Sequence, residues 1–331
     1  MSQRITVIGG GPGGYTAAFA AARAGAQVTL VEAGSLGGTC LNRGCIPTKT
    51  IKASADALET ARRLAEFGIS GGDGVRPDMP AILARKDKVV GILRGGLEKT
   101  CARLKVNLLQ GRGEVVHAGL VRMHGRDGTI REIEGDRVVI ATGSRCLDLP
   151  DLPVDHKRII NSDDALELAA VPGRLVVAGG GVIGCELAFI FQALGSAVTV
   201  VEGLDRILPV PSIDADLSKL IQREMKKRRI GCELARMVRG VDASGPALRV
   251  TLGPSPFVEE AAVPARPESV MEADMVLVAV GRAPNTEALG LSLAGVETDR
   301  RGWIRVNRRM ETSAPGIYAI GDVLGPERIM L

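Results

Sequence analysis

One segment of this chain occurs twice. Residues 4–32 (RITVIGGGPGGYTAAFAAARAGAQVTLVE) and 174–202 (RLVVAGGGVIGCELAFIFQALGSAVTVVE) align without a gap, and nearly half of their positions are identical. Each copy reads as an apolar strand, a glycine turn, a helix, a glycine stop at Gly25 or Gly195, and a Val-rich strand ending in an acid. That order is a βαβ unit, whose two strands must lie parallel in one sheet with helices on its faces. Two such units predict an α/β fold with two Rossmann-like dinucleotide-binding domains, each a parallel sheet with helices and a small antiparallel meander, and 331 residues are enough for two domains.

Both copies carry G-x-G-x-x-G, at Gly9, Gly11 and Gly14 and again at Gly179, Gly181 and Gly184. One glycine makes a tight turn, one lets backbone N–H groups approach a pyrophosphate, and one lets helix pack on strand. Glu32 and Glu202 follow at the same distance in each copy, where a carboxylate can accept the hydroxyls of an adenosine ribose. A lone G-x-G-x-x-G is weak evidence. Here it follows a strand, opens a helix, leads to a spaced acid and recurs, so two dinucleotides are predicted. No basic residue directly follows Glu202, which favours NAD over NADP, and Arg206 weakens that preference.

Between and after the repeats, helices are predicted over 49–67 and 80–104, and a third from about 213 to the KKRR run at 226–229. Buried strands are predicted at 138–143 and 275–281. Alternation over 115–139 predicts a small antiparallel meander, and the proline-interrupted 253–268 a hairpin loop or insertion. With 2% aromatic residues and a net charge of +4, the chain lacks the stacking platforms and basic field of a nucleic-acid binder. No apolar run approaches the ~20 residues of a membrane helix. The first residues enter a strand pattern directly, so a cytoplasmic location is expected.

Six cysteines are too few to staple a chain of this length. Only Cys40 and Cys45 are close, in LGGTCLNRGCIPTK (36–49). No second Cys or His pair supports a metal site, so no metal is expected, although a zinc site and two unrelated buried thiols are the competing readings. The pair follows a dinucleotide unit and precedes a helix, whose N-terminus favours thiolates, so a redox-active dithiol is predicted.

The stretches VIGGGPGGYTAA, LGGTCLNRGCIPTK, VVIATGS, VVAGGGVIGCELA, VLVAVGRAPNT and PGIYAIGDV resemble, in this order, the pyridine nucleotide disulfide oxidoreductases. Within that family they look most like the dihydrolipoamide dehydrogenase branch, with glutathione and mercuric reductases sharing much of the pattern. The resemblance implies FAD on Gly9, Gly11, Gly14, Glu32, Gly38, Thr39, Gly113, Thr142, Gly143 and Asp322. It implies NAD on Gly179, Gly181, Gly184, Glu202, Val238, Gly281 and Arg282. Cys40 and Cys45 would form the redox disulfide, and Lys49, paired with Glu186, would lie near the flavin. The implied domains are 1–148 for FAD, 149–280 for NAD, and 281–331 returning to the FAD domain.

The implied partner is a lipoyl-bearing protein or a small disulfide. Family members continue past the GD motif into a domain that forms the homodimer and supplies a His–Glu base. This sequence stops at Leu331, and His117, His124 and His156 lie in no His-Pro context, so that base and that interface are expected to be missing. A non-enzymatic redox-sensing flavoprotein is the alternative from another class.

Overall fold

Strands and helices alternate along the chain as a duplicated βαβ unit requires. The computed structural model describes residues 2–72, 74–258 and 266–325. Its first elements are β1 (Arg4–Ile8), α1 (Pro12–Arg23), β2 (Gln27–Glu32), α2 (Gly38–Arg43), α3 (Cys45–Arg62), α4 (Met79–Arg103) and β3 (Asn107–Gln110). Next come β4 (Arg112–His117), β5 (Leu120–His124), β6 (Ile130–Glu134), β7 (Arg137–Ile140), β8 (Ser144–Cys146), β9 (Ile159–Asn161) and α5 (Ser162–Ala165). The second repeat supplies β10 (Arg174–Ala178), α6 (Val182–Leu194) and β11 (Ala197–Glu202), followed by α7 (Ala215–Lys227) and β12 (Gly231–Leu234). The remaining strands are β13 (Arg236–Asp242), β14 (Leu248–Pro254), β15 (Ser269–Ala273), β16 (Met275–Val278), β17 (Arg282–Pro284) and β18 (Ile317–Ala319).

The chain divides into two compact units. The first comprises residues up to Ile46, Lys88–Arg145, and Arg282 onward; the second comprises Pro47–Asp87 and Cys146–Gly281. In the first unit five parallel strands lie in the order β18-β7-β1-β2-β3. In the second the order is β12-β11-β10-β16-β9, again all parallel. Each sheet has the first strand of its repeat at the centre. The strand order reverses beside β1 and β10, and in open α/β sheets such a reversal leaves a crevice at the carboxyl ends of the strands.

The duplication therefore reaches well past the repeated sequence. A three-stranded antiparallel sheet, β4-β5-β6, precedes β7, and its counterpart, β13-β14-β15, precedes β16. Equivalent backbone bonds recur: Gly9 N–H donates to Val31 O and Gly179 N–H to Val201 O, both at 2.8 Å. Both faces of each parallel sheet are covered, which accounts for strands that are apolar on successive positions, such as Val7–Ile8 and Leu175–Ala178.

Several expected boundaries shift. The helix expected at 49–67 begins at Cys45 and ends at Arg62; a separate 3₁₀ turn, Leu64–Phe67, closes on left-handed Gly68. The meander begins at Arg112 and ends at Glu134, because Val138 and Ile140 are buried on one face of β7 while Val139 packs on the other, and the strand joins the parallel sheet. The third helix starts at Ala215, after Asp214, and ends at Lys227. Of the segment 253–268, the first two residues extend β14, and 259–265 lie outside the described residues.

Burial sorts the cysteines. Cys185 of α6 sits in the core of the second unit, 4% exposed, its thiol donating to Gly180 O at 3.2 Å. Burial, reinforced by the nearby Cys232 and Glu202, pushes that thiol up to about 12. Burial also raises Cys101 and Cys232. A thiol held neutral by the fold stabilises it only while the unfolded thiol is deprotonated no further than the folded one. Stability should therefore fall as pH rises from the ordinary thiol range toward about 12, and Cys185→Ala should flatten that fall. Chemical denaturation of both proteins at stepped alkaline pH measures it; parallel profiles would refute the assignment.

Candidate functional site

In the first unit the glycine turn is built from contacts that exclude a side chain. A Cβ on Gly14 would stand 1.7 Å from Gly9 O, so the start of α1 rests directly on the turn. A Cβ on Gly38 would stand 2.5 Å from the Cα of Gly11, so α2 begins against the same turn. The N-terminus of α1 carries no side-chain cap, leaving its backbone N–H groups and positive dipole end to the cradle. Glu32, at the end of β2, accepts from Gly10 N–H and Gly34 N–H, both at 2.6 Å.

Opposite the turn lies the segment after β7. The Oγ1 of Thr142 is buried and has no hydrogen-bond partner within the protein. An orphaned buried hydroxyl costs free energy, and a polar ligand in the cradle would satisfy it. Ser144, 4% exposed, donates to Asp322 Oδ2 at 2.9 Å. Gly143 has a φ of +70°, and Gly113 of β4 packs against the Ile8 side chain. The glycine contacts, the uncapped helix, Glu32 and Thr142 together fit a dinucleotide with a pyrophosphate.

The second unit repeats this construction. A Cβ on Gly184 would stand 2.0 Å from Gly179 O, and α6 also lacks a side-chain cap beyond Gly181. Glu202, 8% exposed, accepts from Gly180 N–H at 2.6 Å and Leu204 N–H at 2.9 Å. Arg206, the residue that weakened the preference for NAD, donates instead to Ile213 O at 3.0 Å and Ser218 Oγ at 2.8 Å. Val238 lies on β13 at a bulge and packs on the core behind β10, and Gly281 has a φ of +137°.

Cys40 lies within α2, and Cys45 is the first residue of α3. Burial, and after it the negative charge of Cys40, holds the Tyr15 hydroxyl above its usual range, so Tyr15 of α1 is within electrostatic reach of Cys40. Lys49 of α3 and Glu186 of α6 are brought together, with Nζ 2.7 Å from Oε1 and 2.9 Å from Oε2. Arg282 turns its guanidinium to Ser144. Among the histidines, Nε2 of His124 lies 2.8 Å from Glu114, Nδ1 of His156 lies 3.0 Å from Asp164, and His117 accepts from Gly119 N–H.

Sequence reasoning missed three residues. Asn42, between the two cysteines, donates to the carbonyls of Ser35, Leu36 and Gly38, and accepts two N–H groups of Arg94 from α4. Asn285 donates to Thr142 O at 2.9 Å, and its N–H to Gly143 O at 3.0 Å. Ser144 holds Asp322. An Asn inside the cysteine spacing and another directly after Pro284 were the available signals, but their partners are too distant in sequence to infer. Among the described residues, no three His, Cys, Asp or Glu side chains gather to hold a metal ion. No helix among them is long and apolar enough to cross a membrane.

Known proteins agree with this architecture. Leghemoglobin reductase of Glycine max is 41% identical over 325 residues, covering 97% of this chain and 60% of that protein. Mitochondrial dihydrolipoyl dehydrogenase of Pisum sativum is 40% identical over 325 residues, covering 97% of this chain and 63% of that protein. The crystal structure of LpdA from Mycobacterium tuberculosis superposes with a TM-score of 0.86 at 30% identity, covering 98% of this chain and 68% of that one. The chain thus spans about three fifths of the length of these curated relatives. With residues 3–331 matching the family's own pattern, and both glycine cradles in place, the chain belongs to the pyridine nucleotide-disulphide oxidoreductases.

Proposed function

We propose that this protein is an FAD-dependent disulfide oxidoreductase of the dihydrolipoyl dehydrogenase type, moving electrons between a dihydrolipoyl group, a Cys40–Cys45 disulfide, FAD and NAD. The observation that carries this reading is the backbone contact between Gly38 and Gly11, which starts the dithiol helix α2 against a dinucleotide turn. Nucleotide chemistry and thiol chemistry thereby share one unit.

In this reading FAD belongs to the first unit, through Gly9, Gly11, Gly14, Glu32, Gly38, Thr39, Gly113, Thr142, Gly143 and Asp322. NAD belongs to the second, through Gly179, Gly181, Gly184, Glu202, Val238 and Gly281. The engagement of Arg206 with Ile213 O and Ser218 supports NAD over NADP, since that guanidinium already has partners. Bound flavin would supply two-electron exchange with both a nicotinamide and a disulfide.

The cysteines do the thiol chemistry. A dihydrolipoyl thiolate attacks the Cys40 sulfur of the Cys40–Cys45 disulfide, and Cys45 leaves as a thiolate. The second lipoyl thiol then attacks the mixed disulfide, closing the lipoyl ring and releasing Cys40. The cysteine pair has gained two electrons, which end as a hydride on NAD⁺ while the second proton is released. Lys49, held by Glu186, is assigned the cation that stabilises negative charge on a reduced flavin. The partner proposed is a lipoyl-bearing protein or a small disulfide, in a homodimeric enzyme, and the cytoplasmic setting is part of the same proposal.

Cys40→Ser should abolish lipoamide turnover while leaving flavin bound and NADH-driven dye reduction intact; a variant that keeps full lipoamide turnover would sink the thiol assignment. The two glycine cradles should also separate the cofactors. Gly14→Ala forces a methyl into the Gly9 carbonyl, an overpacking that typically costs about 1–3 kcal/mol. It should deplete bound flavin, whereas Gly184→Ala should retain flavin and weaken NADH binding. Flavin absorbance of the purified variants and NADH titration read this directly, and identical losses in both variants would contradict the allocation.

A further inference from the structure

We propose that Arg282 and Ser144 are positioning residues for the flavin ribitol: Arg282 orients the Ser144 hydroxyl, and that hydroxyl fixes the carboxylate of Asp322. The inference rests on the flavin reading of the first unit. Arg282 Nε donates to Ser144 Oγ at 2.7 Å, and Arg282 Nη2 donates to Ser144 O at 2.8 Å. A guanidinium has no lone pair to offer, so the Ser144 oxygen must accept from it. The single hydroxyl hydrogen is then directed to Asp322 Oδ2, 2.9 Å away. A hydroxyl that normally rotates has one orientation, in a residue only 4% exposed.

The relay ends at the cradle. Asp322 lies in the 3₁₀ turn Gly321–Leu324, entered through Gly321 at a φ of +76°. A Cβ on Gly13, in the first turn of α1, would stand 3.6 Å from the Gly321 Cα, so this turn lies against the helix start that faces the pyrophosphate. An ionised carboxylate is an acceptor only, which suits the hydroxyls of a polyol. Asn285 tightens the same junction, its side-chain amide donating to Thr142 O and its backbone N–H to Gly143 O, and β17 pairs with β8 alongside it. The GRAPN segment, which the sequence assigns to the nicotinamide side, thus fastens the ATGS segment and governs Asp322.

The test measures FAD affinity of the 331-residue chain after flavin removal, by fluorescence quenching, alongside thermal melting of the flavin-free protein. Ser144→Ala should weaken FAD binding about tenfold, as expected for losing a hydrogen bond to a charged group. Ser144→Thr, which keeps the hydroxyl and adds a methyl, should restore most of the affinity. Arg282→Met should weaken binding similarly, and add nothing in a Ser144→Ala background. If Ser144 only fills space, Ala would bind normally and Thr would be the damaging change, and the proposal fails. An additive loss in the double variant would equally overturn it, since Arg282 would then act by another route. Should Ser144→Ala not fold, Arg282→Met against Arg282→Lys decides, with partial rescue by Lys expected and equal affinity of Met and wild type overturning the relay. Wild-type protein that binds no FAD would overturn the proposed function itself, and this inference with it.

Discussion

Everything in both units hangs on a contact that only a missing side chain permits, the seating of a helix start on the carbonyl of the first glycine in its turn. A Cβ on Gly14 or Gly184 would come within 1.7 or 2.0 Å of that carbonyl oxygen. Real structures do not hold carbon and oxygen so close, so any side chain would lift the helix from the sheet. The seated helix aims its uncapped N–H groups past the end of the central strand, at the point where the strand order reverses. Once that is fixed, the elements around the crevice have little freedom. The segment following β7 or β16 must pass beside the turn, as the bonds from Ala141 N–H to Ile8 O and from Ala279 N–H to Ala178 O, both 2.7 Å, record.

The two units diverge where their chemistry does. After its acid, the first continues through Gly37 and Gly38 into the dithiol helices, and Gly37 N–H bonds Gly10 O at 2.8 Å. The second has Leu208 N–H on Gly180 O at 2.7 Å in the corresponding place, with Ile207 fully buried beneath it. One scaffold position thus carries the Cys40–Cys45 segment in one copy and a core plug in the other. The burial of Cys101, Cys185 and Cys232 fits the same division, since raised thiol pKa values keep them out of exchange chemistry that needs a thiolate.

The parallel strands, the glycine cradles and the acids were legible because each is a local pattern dictated by close approach or by burial on both faces. A small meander was expected in each domain as well, but only the strands of the first could be placed along the chain. β4–β6 and β13–β15 share topology without sharing sequence, because an antiparallel sheet with one wet face accepts many residues at each position. Val138 and Val139 fit both the end of the meander and the buried strand expected from 138, because alternation continues into them from β6; the packing on both faces of β7 assigns them to the buried strand. Asn42 with Arg94, and Ser144 with Asp322, were invisible because a hydrogen bond between residues dozens or hundreds of positions apart leaves no spacing to read.

The acids show why a residue proposed to face a ligand can be so readable. Glu32 and Glu202 each close their own turn, one oxygen accepting from Gly10 or Gly180 and the other from Gly34 or Leu204. A carboxylate offers about four lone-pair sites, and two are engaged by the backbone. In the proposed function the two that this leaves would accept the two hydroxyls of an adenosine ribose. A glutamine would turn one of its acceptor positions into a donor facing a donor, breaking the turn as well as the ligand contact. Glu202 is almost wholly buried, so an oxygen left without an N–H partner there would cost free energy. The fold therefore demands the functional group that the proposed ligand would also need, and the acid is kept in both copies although most positions between the glycines and the strand differ.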